Sequence, residues 1–153
     1  MPYWLMKSEP DEFSIDDLRQ KGSARWDGVR NYQARNFLRE MREGDRFFFY
    51  HSSCAVPGIA GIGRVTRTAY PDPSALDRQS PYFDAKATEE KNPWSAVDVG
   101  FVETFARTLT LPELKGVAAL EQMPLVRKGN RLSVMPVSED EWAAILALQS
   151  ARS

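Results

Sequence analysis

The sequence predicts an α+β domain in which a small, strongly curved β-sheet or barrel is flanked by helices. Three observations predict this class. The strand signals are mostly short, helix signals occur at the start, middle and end of the chain, and Gly61 and Gly63 stand inside one strand signal. Glycines at such positions mark a bulge or a sharp bend of a barrel. With 153 residues, the chain is expected to be a single domain over 1–153.

In the first third of the chain, strand and helix signals alternate. Ser14 predicts the N-cap of a helix, because Asp16 and Asp17 place negative charge in its first turn. The aromatic run over 46–51 is the strongest strand signal, and its continuity predicts burial on both faces. The predicted elements are a strand at 3–7, a helix at 15–20, a loop or short extended piece at 25–28, a helix at 32–41 and a strand at 46–51.

The remainder of the chain predicts longer strands around one long loop. Proline and polar residues over 70–94 predict a surface excursion with one helical turn, and such loops are often functional. Ser138 and Glu141 have the spacing of a capping box at the start of the last helix. The other predicted elements are a strand at 59–68, a β-rich segment at 97–110, a short helix from 111 and a short strand at 131–135.

Alternation along the strands also predicts which side chains fill the core. The barrel interior is expected to contain Phe47, Phe49, Ile62, Val65, Val99 and Phe101. Helices are expected to pack on the barrel through Leu18, Phe37, Leu38, Ile145 and Leu146.

Composition excludes several classes of protein. Twenty Lys and Arg against 21 Asp and Glu give a net charge of −1, so the chain does not coat nucleic acid by bulk charge. Cys54 is the only cysteine and His51 the only histidine, which excludes an internal disulfide and multi-histidine metal sites. We therefore expect no metal and no cofactor. No apolar run has the roughly 18 residues of a membrane span, and no signal peptide is visible. We expect a cytoplasmic monomer that does not bind membranes.

The segment 25–36 combines three arginines, two asparagines, Trp26 and Tyr32 around Gly28, directly before a predicted helix. Helix N-termini favour anions, planar arginine and asparagine groups form directed hydrogen bonds, and tryptophan offers a flat stacking surface. This combination suits a nucleobase and its phosphate. The alternative is a solvated helix start in which Trp26 anchors the core.

Two further places carry aromatic or titratable groups. His51, followed by Ser52 at the end of a buried strand, could be a general base, a ligand-binding group or a satisfied structural histidine. Cys54 lacks the distant partner that a nucleophilic cysteine needs. Trp94, fixed by the preceding proline, could form an aromatic wall or anchor a lid.

The segment 125–133 carries the densest positive charge of the chain. Arg127, Lys128 and Arg131 surround the turn residue Gly129. Two interpretations of this pattern stay open: a site that contacts phosphate, and a charged hairpin tip exposed to solvent.

Taken together, these segments resemble the signature stretches of EVE-domain proteins, the family of the thymocyte nuclear proteins and their bacterial relatives. The resemblance covers essentially the whole chain in the expected order. It implies a PUA-like fold, a small curved β-barrel with flanking helices, and recognition of a modified base without known chemistry. The matching stretches are 3–10, 26–36, 49–52, 93–94, 97–99, 125–129 and 131–137.

The resemblance also implies a site. In the related YTH domains, a tryptophan after the first helix forms one wall of a base cage, and Trp26 occupies that place here. We expect a flipped base, methylated in DNA or RNA, to stack on Trp26 in a pocket around which Asn31, His51 and Trp94 also lie. The expected base-binding residues are Lys7, Ser8, Trp26, Asn31, Tyr32, His51, Ser52 and Trp94. The expected phosphate-binding residues are Arg30, Arg127, Lys128 and Arg131.

Two other functions stay open at the level of sequence. The chain could be a small hydrolase or nuclease acting on nucleic acid or a modified nucleoside, as in the ASCH relatives, with His51 and either Lys7 or Glu9 as acid and base. It could also be a protein-interaction module that uses the same groove. The sequence shows no clear nucleophile or metal set, so the expectation is a reader and not an enzyme.

Overall fold

The computed structural model describes residues 2–152, and over that range six strands form one sheet on which four helices pack. Short 3₁₀ turns cover Pro73–Leu76, Ala118–Leu120 and Pro124–Val126. Over the same range, none of the helices has the length and apolar character needed to cross a bilayer. The strands are β1 (Tyr3–Ser8), β2 (Ser23–Trp26), β3 (Arg46–His51), β4 (Gly58–Pro71), β5 (Ser95–Thr110) and β6 (Val134–Val137). The helices are α1 (Ile15–Lys21), α2 (Tyr32–Glu40), α3 (Leu111–Lys115) and α4 (Glu139–Arg152).

The strand order is β2-β5-β4-β3-β1-β6, with β1 and β3 parallel and the other neighbours antiparallel. The Trp26 ring on the edge strand β2 lies 5.7 Å from that of Phe47 and 5.3 Å from that of Phe49, on β3. Since neighbouring strands are about 4.8 Å apart, strands three positions apart make such contacts only if the sheet curls strongly. The predicted α+β class is confirmed, but the curled sheet stays open between β2 and β6 and does not close into a barrel.

The curled sheet is buried on both faces. Phe47 and Phe49 point into the curl, whereas Phe48 and Tyr50 face α3 and α4, so the two-sided burial of β3 is confirmed. The prediction that Ile62 lies in the barrel interior is wrong: it packs with Phe48 on the helix-covered face and not inside the curl. The inner cluster includes Trp4, Met6, Leu18, Trp26, Leu38, Val65 and Val99, and the outer cluster includes Leu5, Ile59, Leu109, Leu114, Trp142 and Ile145.

Local signals placed the helix starts correctly and one strand incorrectly. Ser14 caps α1 in a capping box with Asp17, and Ser138 and Glu141 exchange the same pair of hydrogen bonds before α4. The last strand begins at Val134, three residues later than predicted, because the Asn130 side chain accepts the Leu132 N–H and holds this stretch in a turn. Residues 131–133, which the sequence predicts as the start of this strand, therefore belong to the loop before β6.

Candidate functional site

A small cavity of about 160 Å³ opens beside the ends of β1 and β2. Three of its walls are aromatic: Phe13, Trp26 and Tyr82. This volume is below the roughly 300–1,000 Å³ of sites for drug-sized ligands, so it suits a single ring. We call it the aromatic cavity. Its lining consists of Lys7, Ser8, Phe13, Arg25, Trp26, Asp27, Gly28, Val29, Tyr82 and Ser133.

Trp26 is both a core residue and a cavity wall. Its side chain is only 7% exposed, and its ring meets those of Phe47 and Phe49 edge to face. Its indole N–H donates to none of the described residues, yet it is not sealed from solvent. The packing fixes the ring, so the cavity has a rigid aromatic wall, and the indole N–H has no partner among the described residues.

Other polar groups at the aromatic cavity are also available. The Lys7 ammonium has neither ion pair nor hydrogen bond among residues 2–152 and lies 5.7 Å from the centre of the Tyr50 ring; burial lowers its pKa. The Ser133 hydroxyl is likewise unbonded within that range. Asp27 accepts from the Arg25 guanidinium at 2.9 Å through one oxygen only. The cavity therefore offers hydrogen-bond donors together with one carboxylate acceptor.

The long loop is fixed to this region by Asp72, a fully buried carboxylate. It accepts from the Gly28 N–H at 2.9 Å, from Arg30 at 3.0 Å and from both the N–H and the hydroxyl of Ser74. Burial raises the pKa of Asp72, but the hydrogen bonds from Ser74, Gly28 and Arg30 outweigh it, so the pKa lies below its ordinary value. The carboxylate thus remains ionised and joins the loop to residues 28–30.

Arg30 does not have the phosphate-binding position that the sequence predicted. Its guanidinium makes five hydrogen bonds within the protein, two of them to the Tyr82 carbonyl and the others to Asp72, Ser74 and the Val29 carbonyl. All its donors are engaged, so its role in this structure is to hold the long loop and with it the Tyr82 wall.

Tyr82 reaches the cavity because Gly28 leaves room for it. Gly28 has φ +78°, and a Cβ at that position would lie 2.8 Å from the tyrosine ring. The Tyr82 hydroxyl donates to the Glu12 carboxylate on the far side. A glycine is therefore required here twice, by the backbone conformation and by the close approach of the ring.

His51 and Ser52 do not line the aromatic cavity. The Nε2 atom of His51 accepts the Ile15 N–H at 3.1 Å, which satisfies the first turn of α1. Burial lowers the pKa of His51, although the nearby Asp16 charge raises it. The Ser52 N–H donates to the Ser8 carbonyl. Through Nε2, His51 thus has a structural role at the start of α1, while the general-base and ligand-binding alternatives stay predictions.

Asn31, Tyr32 and Trp94 also lie elsewhere. The Asn31 side chain accepts the Ala34 N–H and is the N-cap of α2. The Tyr32 and Trp94 rings stack at 4.9 Å, and the Trp94 indole N–H donates to Asp84. The expectation that Trp26, Asn31, His51 and Trp94 surround one concavity is therefore wrong. Of the eight predicted base-binding residues, Lys7, Ser8 and Trp26 line the cavity, and their binding of a base stays a prediction.

A second, larger cavity of about 610 Å³ adjoins the first. We call it the basic groove; among the side chains that the structure describes, four cations and no acidic group line it. Two of the predicted phosphate-binding residues, Arg127 and Lys128, belong to it, whereas Arg131 is exposed outside it. Its lining consists of Lys7, Tyr50, Leu111, Lys115, Leu125, Val126, Arg127, Lys128, Gly129 and Asn130.

Sequence reasoning missed several lining residues. Asp27 and Arg25 lie inside the segment 25–36, but nothing in the sequence distinguishes them as base contacts. Tyr82 and Phe13 carried no local signal, because only the path of the long loop and the entry to α1 bring them to Trp26. Lys115 follows the predicted start of a short helix and carries no local signal for phosphate contact.

The open, curled sheet with its packed helices places this protein in the α+β class, and an aromatic cavity lies at the edge of the sheet. The EVE-domain family model matches residues 2–148. The chain belongs to the EVE-domain family. It is 43% identical over 166 residues to thymocyte nuclear protein 1 of Mus musculus, covering 96% of this chain and 73% of that protein. The resemblance seen in the sequence is confirmed.

Solved structures agree with this assignment. A Pseudomonas syringae protein of 71% identity superposes with a TM-score of 0.95, over 96% of this chain and 99% of that one. The human THYN1 protein, solved in complex with DNA containing 5-methylcytosine, is 40% identical, with a TM-score of 0.93 over 97% and 98% of the two chains. A YTH domain from Zygosaccharomyces rouxii, 14% identical with a TM-score of 0.53 over 97% and 86%, shares the fold alone. The PUA-like fold is confirmed.

Proposed function

We propose that this chain is a non-catalytic reader that binds a modified base, 5-methylcytosine in DNA, by enclosing the flipped base in the aromatic cavity. The observation that carries the proposal is the cavity itself, which has the size of one ring, three aromatic walls and unbonded polar groups. The similarity to human THYN1, solved with DNA containing 5-methylcytosine, supports the choice of base and nucleic acid.

The polar groups of the cavity match the edge of cytosine. A carboxylate is the acceptor suited to the exocyclic amino group of cytosine, and Asp27 has one free oxygen. Lys7 and Ser133 would donate to the carbonyl oxygen and the ring nitrogen. These contacts determine which base is accepted, and the aromatic walls hold its faces.

The energetics favour modest discrimination. Flipping a base costs a few kcal/mol, and stacking returns about 1–3 kcal/mol. Burying one methyl group adds only about 0.8 kcal/mol, a factor of about four in affinity. Edge and phosphate contacts must supply the remaining free energy.

Binding without catalysis is the proposal because the expected acid–base residue is already engaged. His51 accepts the Ile15 N–H through Nε2, its ring lies 5.5 Å from that of Phe49, and the residue is not among those that line the aromatic cavity. The structure gives no observation that favours the hydrolase or nuclease alternative.

The test compares affinities for oligonucleotides that carry 5-methylcytosine or cytosine at one position. Trp26→Phe removes the indole N–H and part of the wall, while Trp94→Phe makes the same change outside the aromatic cavity. We expect the wild type and Trp94→Phe to prefer the methylated strand by about fourfold and Trp26→Phe to lose that preference. Loss in Trp94→Phe alone would contradict the site, and cleavage of the oligonucleotide on incubation would contradict the absence of catalysis.

A further inference from the structure

We propose that the basic groove is a second subsite for the same strand, in which the sugar and phosphate of the nucleotide next to the flipped base are bound. This inference rests on the proposed function and adds to it a minimal ligand, a dinucleotide unit and not a free nucleoside. It also assigns phosphate contact to Lys115, on the last turn of α3.

The charge of the groove points to an anionic ligand. Lys7, Lys115 and Lys128 have no ion pair among the described residues, and Arg127 donates only to the neutral Gln122 side chain. Four cations that converge without an acidic partner repel one another, and a phosphate would relieve that repulsion. This local concentration stands out in a chain whose net charge is −1.

The shape and lining of the groove favour more than a phosphate ion. Its volume of about 610 Å³ is nearly four times that of the aromatic cavity and lies within the range of sites for ligands of nucleotide size. Leu111, Leu125 and Val126 form an apolar part beside the cations. A sugar or an adjacent base covers apolar surface, whereas inorganic phosphate does not.

The two cavities share walls, which makes one continuous strand the simplest occupant. Lys7 lines both, and its N–H donates to the Ser133 carbonyl at 2.8 Å. The segment 127–133 runs along the groove at Asn130 and reaches the aromatic cavity at Ser133. A strand whose base enters the cavity therefore has its adjoining phosphate within reach of Lys7 and the groove.

The test pairs protein variants with uncharged linkages. Two oligonucleotides each carry 5-methylcytosine and one neutral methylphosphonate, placed on its 5′ side in one and on its 3′ side in the other. We expect one of the two to bind the wild type several-fold more weakly than the all-phosphate strand. Lys115→Gln should remove most of that difference, because the contact that the neutral linkage lacks is already absent from the variant.

Lys91→Gln is the matched control, since Lys91 is exposed and lines neither cavity, and Lys128→Gln repeats the test at a second groove position. Unfolding temperatures show whether each variant folds. Equal sensitivity to the neutral linkage in the wild type, Lys115→Gln and Lys128→Gln would overturn the inference. A different result would separate the two proposals: the wild type binds methylated and unmethylated strands alike, but Lys115→Gln still removes the effect of the neutral linkage. The reader function would then fail, and the groove would stand as a phosphate site.

Discussion

Trp26 contributes to stability as well as to the proposed binding, and the two roles can be separated by the choice of substitution. Trp26→Ala removes a ring that packs on Phe47 and Phe49 in the core, so we expect it to cost about 3–5 kcal/mol in the free energy of unfolding. Trp26→Phe keeps most of the packing and should cost less than half of that. Urea denaturation of both variants measures the difference, and equal losses would contradict the core role of the ring.

The single histidine should make stability depend on pH. Burial lowers the pKa of His51 below its ordinary value of about 6.5, so between the two values the unfolded state binds more protons than the native state. Its contribution to stability is therefore complete above the ordinary value and is lost as the pH falls through the lowered one. Protonation also converts the acceptor of the Ile15 N–H into a donor.

His51→Gln keeps an acceptor that does not titrate. We expect the wild type to lose more stability than this variant between about pH 7.5 and pH 5.5, as measured by urea denaturation. Parallel losses in the two proteins would show that the hydrogen bond to Ile15 does not control the titration.

At the scale of elements, the contact between the long loop and residues 28–30 depends on Gly28. Gly28 and Gly129 both have positive φ, but a Cβ would meet the Tyr82 ring at Gly28 and nothing within 4 Å at Gly129. Gly129→Ala should cost about 1 kcal/mol from backbone strain, and Gly28→Ala clearly more. Equal unfolding free energies of the two variants would contradict the close approach of Tyr82.

Two arginines that the sequence treated alike should behave differently. Arg30→Ala breaks the ion pair with buried Asp72 and should lower the unfolding temperature, because five hydrogen bonds are lost. Arg127→Ala should leave stability nearly unchanged and reduce the slope of log affinity against log salt by about 0.7 to 0.9. Thermal unfolding and binding at several salt concentrations check this pair, and a reversed pattern would contradict it.

The elements whose signals are local could be predicted from the sequence. The capping residues Ser14 and Ser138 act within three residues, and the aromatic run of β3 is buried wherever the strand lies. The start of β6 could not, because it depends on a turn formed by Asn130. The bond of His51 to Ile15, 36 residues away, exists only in the folded chain.

At the scale of the whole molecule, the family could be recognised from segments spread over the entire chain. The family in turn predicted the fold and the position of Trp26 at the cavity. The composition of the cavity could not be recognised in the same way. Tyr82 enters through a loop anchored by Asp72, while Asn31 and Trp94, which look like ligand-binding types in sequence, are engaged in a cap and a stacked pair. Polar and aromatic residues serve both purposes, and only tertiary structure distinguishes them.

The charge distribution predicts how the whole protein binds. Because net charge is −1 and the unpaired cations of the site converge in one groove, we expect only about two to four phosphate contacts. The salt slope on double-stranded DNA should then be about −2 to −4. A steeper slope without preference among bases, measured by titration at several salt concentrations, would indicate ordinary backbone binding.

The most direct test of the central claim, that a modified base occupies the aromatic cavity, is the NMR signal of the Trp26 indole N–H, assigned by its disappearance in Trp26→Phe. This donor has no partner among the described residues, whereas the indole N–H groups of Trp4 and Trp94 donate to Asp45 and Asp84. Addition of an oligonucleotide containing 5-methylcytosine should shift the Trp26 signal strongly and leave those of Trp4 and Trp94 nearly unchanged. Binding that leaves the Trp26 signal in place, or that shifts the Trp94 signal instead, would contradict the account.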